Sequence, residues 1–236
     1  MTGDQQLEPV AWGLRDAVLG FVLAYLLTIL LSPLAYSITG QSTGTDSSDL
    51  PLSTIALLQV PFYAGMLGVA LWASFRKGRG PVRDYGLQMQ WGDAPLGLVV
   101  GVVTQVVATL LYVPLLWWTS VDSNDISKPA RELTDKAHGS GVVLLILVVV
   151  VAAPIVEEIF FRGLILRTLQ RRFTDTWAIV ISSAVFAAAH FEPLQFPALF
   201  VFGLVAAVLA TRTGRLGPGI WAHLAFNGFA VYSLLQ

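Results

Sequence analysis

Long apolar runs without a charged residue dominate this sequence and restrict what the chain can fold into. A membrane-spanning helix needs about 20 predominantly apolar residues. Runs that qualify cover residues 17–45, 50–75, 94–121, 139–156, 176–191, 193–211 and 216–236. The fifth run, residues 176–191, is the shortest of the seven and is short for a complete span. The pattern predicts an all-α polytopic transmembrane helix bundle with about seven to eight spans.

The composition supports a membrane protein over the whole chain. Of the 236 residues, 55% are hydrophobic and 12% are charged, whereas a soluble domain carries about 25% charged residues. Because this deficit is spread along the sequence, we expect a single membrane domain over residues 1–236 and no soluble module. The net charge of −1 gives no reason to expect a nucleic-acid partner. The absence of cysteine excludes disulfides, thiolate zinc sites and a cysteine nucleophile.

Basic residues are concentrated in alternate connections between the apolar runs. Segments 76–93, 162–175 and 212–216 are rich in arginine, whereas segments 39–52 and 120–140 are acidic or mixed. Connections rich in lysine and arginine usually lie on the cytoplasmic side of a membrane. The alternation therefore predicts a cytoplasmic N-terminus and an external C-terminus.

Ionisable and amide side chains interrupt the apolar runs at three places. Such residues are costly in a membrane and indicate a functional site by default. The three motifs are Glu157-Glu158-x-x-x-Arg162, Phe186-x-x-x-His190 and His223-x-x-x-Asn227.

The spacing within these motifs separates the two glutamates. Helical residues four apart share a face, so Glu158 is expected to pair with Arg162, and His223 and Asn227 are expected to point the same way. Glu157 is rotated by about 100° from Glu158. The two acids are therefore predicted to have different roles.

The position of the turn at residues 172–175 predicts which residues meet. Glu157 and His190 lie about equally far from it, roughly 24 Å along a helix, so they can face each other across a helical hairpin. His223 lies roughly 10 Å from its own turn. The depths agree if the hairpin projects into the cytoplasm, which requires the break at residues 191–193 to lie inside the protein.

A carboxylate and two imidazoles at one depth are suited to activating a water molecule. Glu157 or Glu158 can act as the general base, while His223 and Asn227 can donate hydrogen bonds to an oxyanion. Alternatively, Glu157, His190 and His223 form a metal-ligand set with an open fourth position, which suits Zn²⁺. The sequence leaves both mechanisms open.

Together, the three motifs resemble those of the CPBP family, the CAAX-protease and bacteriocin-processing intramembrane endopeptidases. Residues 142–236 carry the resemblance and are expected to form the catalytic core, with 33 residues from Glu157 to His190 and another 33 to His223. The resemblance implies that Glu157 activates water and that His190 is its partner. It implies supporting or oxyanion-stabilising roles for the others, which are Glu158, Arg162, His223 and Asn227.

We therefore expect an intramembrane endopeptidase that cuts near the cytoplasmic face of a bacterial plasma membrane, with the active site open to the cytoplasm. Its partners would be the lipid bilayer and a peptide or protein substrate, either one with a lipidated C-terminus or a bacteriocin-like precursor. Members of the family are usually described as metal-dependent, and a metal-free glutamate mechanism has also been proposed for it. Both Zn²⁺ and no metal thus remain open for Glu157, His190 and His223.

Two other functions would use the same side chains. A proton-coupled transporter would use the glutamate pair as a proton site, but the inverted repeats and paired broken helices typical of transporters are not visible in the sequence. A non-catalytic scaffold would keep Glu157, Glu158 and Arg162 as a structural ion-pair cluster. In that protein the two histidines would serve as hydrogen-bonding contacts between helices.

Overall fold

The computed structural model describes residues 11–120 and 122–236, and the regular structure in these residues is helical. Five of the described helices are long and apolar enough to cross a membrane, so the protein is an integral membrane protein and the predicted helix bundle is confirmed. In chain order the helices are α1 (Leu14–Ile38), α2 (Leu52–Lys77), α3 (Pro81–Tyr85), α4 (Asp93–Trp118), α5 (Ser123–Thr134), α6 (Ser140–Gln170), α7 (Asp175–Ala188), α8 (Phe196–Thr213) and α9 (Gly217–Leu234).

Not every apolar run forms a helix that is long and apolar enough to qualify as a complete span by these criteria. The helices that qualify as spans are α1, α2, α4, α6 and α8. Helix α7 has only 14 residues, as the short fifth run indicated. Helix α9 has 18 residues but carries His223, Asn227 and several glycines, which lower its hydropathy. By length and composition, five described helices thus qualify as complete spans, and α7 and α9 are two further apolar helices packed among them, which is consistent with the predicted polytopic bundle.

Helix α6 contains two π-helical segments around the first motif. Its segments Ile146–Ala152 and Glu158–Leu166 are π-helical and flank the α-helical turn Ala153–Glu157. Pro154 has no backbone N–H, and its ring clashes with the carbonyl four residues earlier in an α-helix. The wider π turn before it relieves this clash. Such π turns often occur at functional sites.

The basic connections meet at one end of the bundle. The Leu216 amide donates to the Gly86 carbonyl at 2.8 Å, and the Trp12 indole donates to Asp84 at 3.1 Å. The Arg171 guanidinium lies 3.8 Å from the centroid of the Trp12 ring. The contacts bring the three arginine-rich segments together, as their predicted common side of the membrane requires.

The acidic and mixed connections meet at the other end. The Lys136 ammonium donates to the Leu50 carbonyl at 2.7 Å, and the Gln195 amide donates to the Ile126 carbonyl at 3.1 Å. These bonds connect the segment after α1, the α5 region and the segment after α7.

The break after α7 differs from the expectation. It was predicted to lie inside the protein, but the Phe191 side chain is 75% exposed, so that prediction is wrong. Backbone groups of the break nevertheless have partners: the Phe191 amide donates to the Ala188 carbonyl at 3.1 Å, and the Phe196 amide donates to the Glu192 carbonyl at 3.0 Å. The Tyr112 hydroxyl of α4 donates to the Leu194 carbonyl at 2.7 Å.

The N-terminal half of the bundle holds α9 in place by a close backbone contact. A Cβ atom on Gly101 of α4 would lie 2.1 Å from the Ala222 carbonyl oxygen of α9. Only glycine permits helices to approach so closely. Because Ala222 immediately precedes His223, this contact sets the position of the third motif.

Candidate active site

Three motif side chains converge on one point in the bundle. The Glu157 Oε2 atom lies 3.7 Å from His223 Nε2 and 4.0 Å from His190 Nε2. The Glu157 and His190 side chains keep 17% and 30% of their surface exposed, whereas His223 keeps 3%. The structure thus brings Glu157 and His190 face to face across the hairpin and leaves their meeting point partly open.

Each of these residues owes its place to a local feature of the chain. Glu157 ends the short α-helical turn between the π segments of α6, and His190 lies in the turn just after α7. The His190 Nδ1 atom donates to the Phe186 carbonyl at 2.8 Å. The Phe-x-x-x-His spacing thereby ties the imidazole to the last turn of its own helix.

Glu158 faces away from this opening into the protein. Its Oε1 atom lies 2.9 Å from Arg162 Nη1 and 3.0 Å from His223 Nδ1. The Glu158 and Arg162 side chains are 0% and 1% exposed, so each charge depends on the other for compensation. The different placement of Glu157 and Glu158 follows the rotation expected from their adjacency.

Arg162 has further partners around its guanidinium group. Its Nη2 atom donates to the Gly203 carbonyl at 3.3 Å, and its Cζ atom lies 4.3 Å from the Phe186 ring centroid and 5.7 Å from the Phe202 ring centroid. Cations over aromatic faces are stabilised by the ring quadrupole. Partners on its own helix α6 and on α7 and α8 therefore hold the arginine in place.

The hydrogen bonds determine which histidine nitrogens face Glu157. A carbonyl oxygen only accepts hydrogen bonds, so His190 Nδ1 carries a proton, and the Glu158 carboxylate likewise accepts from His223 Nδ1. In a neutral imidazole the other nitrogen then has a free lone pair. In that neutral form, both Nε2 atoms present lone pairs toward the Glu157 carboxylate. A cluster of three acceptors is suited to a proton donor or a cation between them.

The chemistry of these three acceptors fits a zinc ion. Two imidazoles and one carboxylate are a catalytic zinc ligand set. The His190 Nδ1 atom is bonded to the Phe186 carbonyl and the His223 Nδ1 atom to the Glu158 carboxylate, and histidines that bind zinc usually have a carbonyl or carboxylate partner of this kind. In residues 11–120 and 122–236, no three His, Asp or Glu side chains already stand at metal-ligand spacing. The separations of 3.7 and 4.0 Å from Glu157 Oε2 to the two Nε2 atoms exceed the about 3.4 Å between tetrahedral zinc ligands, so both pairs would have to close for a zinc ion to bind.

Asn227 connects helices at a defect in α6. Its Nδ2 atom donates to the Val149 carbonyl at 2.9 Å. In the π geometry this carbonyl would accept from residue 154, but Pro154 has no N–H to give. Among the described residues, no hydrogen bond or ion pair joins Asn227 to Glu157. Its predicted oxyanion role thus remains a prediction, while its contact with α6 is direct.

Two residues near the site lie outside the three motifs. Tyr63 of α2 packs against the core cluster that includes Val156 and Ile159 of α6, so the N-terminal spans also contribute to the surroundings of the site. Phe202 of α8 packs on His223 with ring centroids 4.4 Å apart. A hydrophobic residue in an apolar run gives no sequence signal, and a lone tyrosine gives little.

The molecule is thus a polytopic helical membrane protein with a carboxylate–imidazole centre on its last helices, and known proteins share this region. Residues 139–229 match the family described as "Type II CAAX prenyl endopeptidase Rce1-like". The match confirms the resemblance to the CPBP family for the C-terminal part of the chain.

Two curated relatives are each similar to less than half of the chain. A Bacillus subtilis (strain 168) protein named "Putative membrane peptidase YdiL" is 35% identical over 95 residues, which are 40% of this chain and 39% of that protein. An Escherichia coli protein named "Uncharacterized 24.3 kDa protein" is 34% identical over 88 residues, 35% of this chain and 41% of that protein. The similarity thus spans well under two thirds of each relative. No solved structure matches the chain.

Proposed function

We propose that this protein is a CAAX-protease-like intramembrane endopeptidase in which Glu157 activates the hydrolytic water. The observation that carries the proposal is the position of Glu157 Oε2 between the Nε2 atoms of His223 and His190, at 3.7 and 4.0 Å. The family match over residues 139–229 and the membrane-peptidase name of one relative support the same reaction class.

The proposed reaction is peptide hydrolysis by general-base catalysis. A water between the three side chains donates one hydrogen bond to Glu157 and another to a histidine Nε2. Glu157 takes a proton as the water oxygen bonds to the peptide carbonyl carbon. The C–N bond then breaks, and the proton passes from Glu157 to the leaving amine.

The buried pair behind the site keeps His223 ready for this role. Because Nδ1 is bound to Glu158, and Glu158 to Arg162, the Nε2 lone pair stays directed at Glu157. A carboxylate partner of this kind fixes both the tautomer and the orientation of an imidazole. Glu158 and Arg162 are thus positioning residues in this mechanism.

The same side chains would hold a zinc ion if the enzyme uses one. Glu157, His190 and His223 would be its ligands, and the ion would supply Lewis-acid polarisation of the peptide carbonyl and a more acidic bound water. The metal-free and the metal-assisted form of the proposal use the same three residues.

The substrate class in this proposal is a peptide that enters the opening at Glu157 and His190 from the cytoplasmic side. The arginine-rich segments gathered at one end of the bundle support a cytoplasmic position for that end, and the proposal keeps the sequence-based expectation of a cytoplasmic N-terminus. A lipidated C-terminus would partition into the bilayer beside the helices, and a bacteriocin-like precursor would approach from the aqueous side. The two substrate types can be separated by experiment.

The test is cleavage of two quenched fluorescent peptides of identical sequence by the protein purified in detergent. One peptide carries a farnesylated cysteine near its C-terminus and the other is unmodified. We expect Glu157→Gln to lower the cleavage rate by about 10²- to 10⁴-fold, since it removes the general base without changing the side-chain volume. Glu132→Gln, an exposed glutamate of α5, is the matched control and should cleave normally.

Metal content is measured on the same preparation by mass spectrometry, before and after treatment with a chelator. Loss of cleavage that zinc restores would select the metal-assisted form. Full cleavage by correctly folded Glu157→Gln protein would refute the proposed function.

A further inference from the structure

Phe202 of α8 forms the wall behind the proposed reaction centre. Its side chain is completely buried, and its ring centroid lies 4.4 Å from that of His223, with the planes inclined by 46°. The residue belongs to none of the three motifs, yet it makes the shortest ring contact of His223.

The same ring also contacts the other partner of Glu158. The Arg162 Cζ atom lies 5.7 Å from the Phe202 centroid, and the Phe186 and Phe226 rings lie 5.9 and 4.6 Å away. One aromatic side chain therefore touches both groups that hydrogen-bond or pair with the buried carboxylate.

The hydrogen bond to Glu158 orients the His223 imidazole through one ring atom, and packing on the ring face limits how far the ring can tilt. The contact between His223 Nδ1 and Glu158 fixes one atom of the ring, but rotation about that contact would carry Nε2 away from Glu157. A ring packed at 4.4 Å against the imidazole limits this rotation.

The wall itself cannot recede easily. The next residue, Gly203, accepts a hydrogen bond from Arg162, and a Cβ atom on Gly203 would lie 2.9 Å from the Ser183 Cβ atom of α7. Helix α8 is thus pressed against α7 at the level of Phe202, and interiors packed this closely transmit small displacements.

We propose that Phe202 is a positioning residue that holds the His223 imidazole with Nδ1 on Glu158 and Nε2 on Glu157. The inference rests on the proposed function and adds a determinant outside the three motifs. Because Phe202 is completely buried, it acts through His223 and not through contact with the substrate.

The kinetic test compares Phe202→Leu with Phe160→Leu. Phe160 is equally buried in the same core, but its ring contacts are with Phe21 and Phe161. For Phe202→Leu we expect kcat on the quenched peptide to fall by about 10- to 100-fold, since small misplacements of catalytic groups cost up to about 10²-fold. KM should stay within about twofold, and Phe160→Leu should keep kcat within about threefold.

A second variant guards against a folding defect in Phe202→Leu, and a second measurement tests the position of His223 without relying on catalytic turnover. Phe202→Met replaces the ring with a flexible chain of similar size and is measured in parallel, so that a folding defect in one variant leaves the other. Nitrogen-15 NMR of labelled histidines in micelles reports which ring nitrogen of His223 carries the proton. The chain has only three histidines, so assignment by substitution is direct.

We expect the Nδ1-protonated signal of His223 to shift or average in the Phe202 variants and to stay unchanged in Phe160→Leu. Unchanged His223 signals in folded Phe202 variants, or a wild-type kcat, would overturn the positioning role. If the wild-type protein cleaves neither peptide, the proposed function fails, and the NMR comparison still decides whether Phe202 orients His223.

Discussion

Replacing Arg162 with methionine tests whether the buried pair is the support of the site. The substitution leaves the Glu158 carboxylate, which is 0% exposed, with His223 Nδ1 as its remaining partner. Removing one member of a buried ion pair costs about 3–5 kcal/mol, because the other charge is left uncompensated. For a chain of this size that corresponds to a fall of roughly 6–20 °C in Tm.

The double variant Glu158→Gln/Arg162→Met separates stability from catalysis. Removing both charges abolishes the uncompensated carboxylate, so most of the lost stability should return. Cleavage should not return, because a glutamine does not fix His223 Nδ1 as a carboxylate does.

The assay is thermal unfolding in detergent together with cleavage of the quenched peptides. Arg212→Met, an exposed arginine on α8, controls for the loss of a positive charge. A double variant as unstable as Arg162→Met would show that the uncompensated Glu158 charge is not the cause of the lost stability. A double variant that cleaves like the wild type would refute the role given to Glu158.

Other contacts lead to further predictions. Gly101→Ala places a Cβ atom 2.1 Å from the Ala222 carbonyl oxygen, so it should destabilise the protein by about 1–3 kcal/mol and reduce peptide cleavage. Gly68→Ala is the control, because nothing lies within 4 Å of its Cβ position, and it should be nearly neutral in both assays. Asn227→Ala leaves a π-helical carbonyl of α6 without its donor and should lower the unfolding free energy by about 1–3 kcal/mol in a denaturation measurement. Burial raises the pKa of the Tyr85 phenol, so the folded state favours the neutral phenol. The stability that this provides should be lost as the pH rises above about 10. Tyr85→Phe should remove this pH dependence of Tm, and a pH dependence unchanged by the substitution would contradict the prediction.

Much of the site follows from spacing along helices. The four-residue separation of Glu158 and Arg162 predicted their pairing, because helical residues four apart share a face. The equal distance of Glu157 and His190 from the turn between α6 and α7 predicted that they meet. Local geometry fixes both relations once the segments are helical, so they can be read without knowing how the rest of the bundle packs.

Other features of the site depend on long-range packing, which the spacing of residues along the sequence does not predict. The partner of Asn227 depends on a π turn beside Pro154 and on the alignment of α9 with α6. The surface position of Phe191 depends on hydrogen bonds made within the break and to α4. An apolar run gives no indication of which phenylalanine will face a histidine, so Phe202 could not be singled out.

The sequence by itself determined that this chain is a helical membrane protein and that the Glu157 and Glu158 side chains point in different directions. Apolar runs in a bilayer must satisfy their backbone groups within the helix, and adjacent helical residues must point in different directions. Only the tertiary structure decided that α8 forms the wall behind His223 and that Gly101 of α4 sets the position of α9. Contacts between distant helices depend on shape and close packing, which are properties of the assembled bundle and not of any one segment.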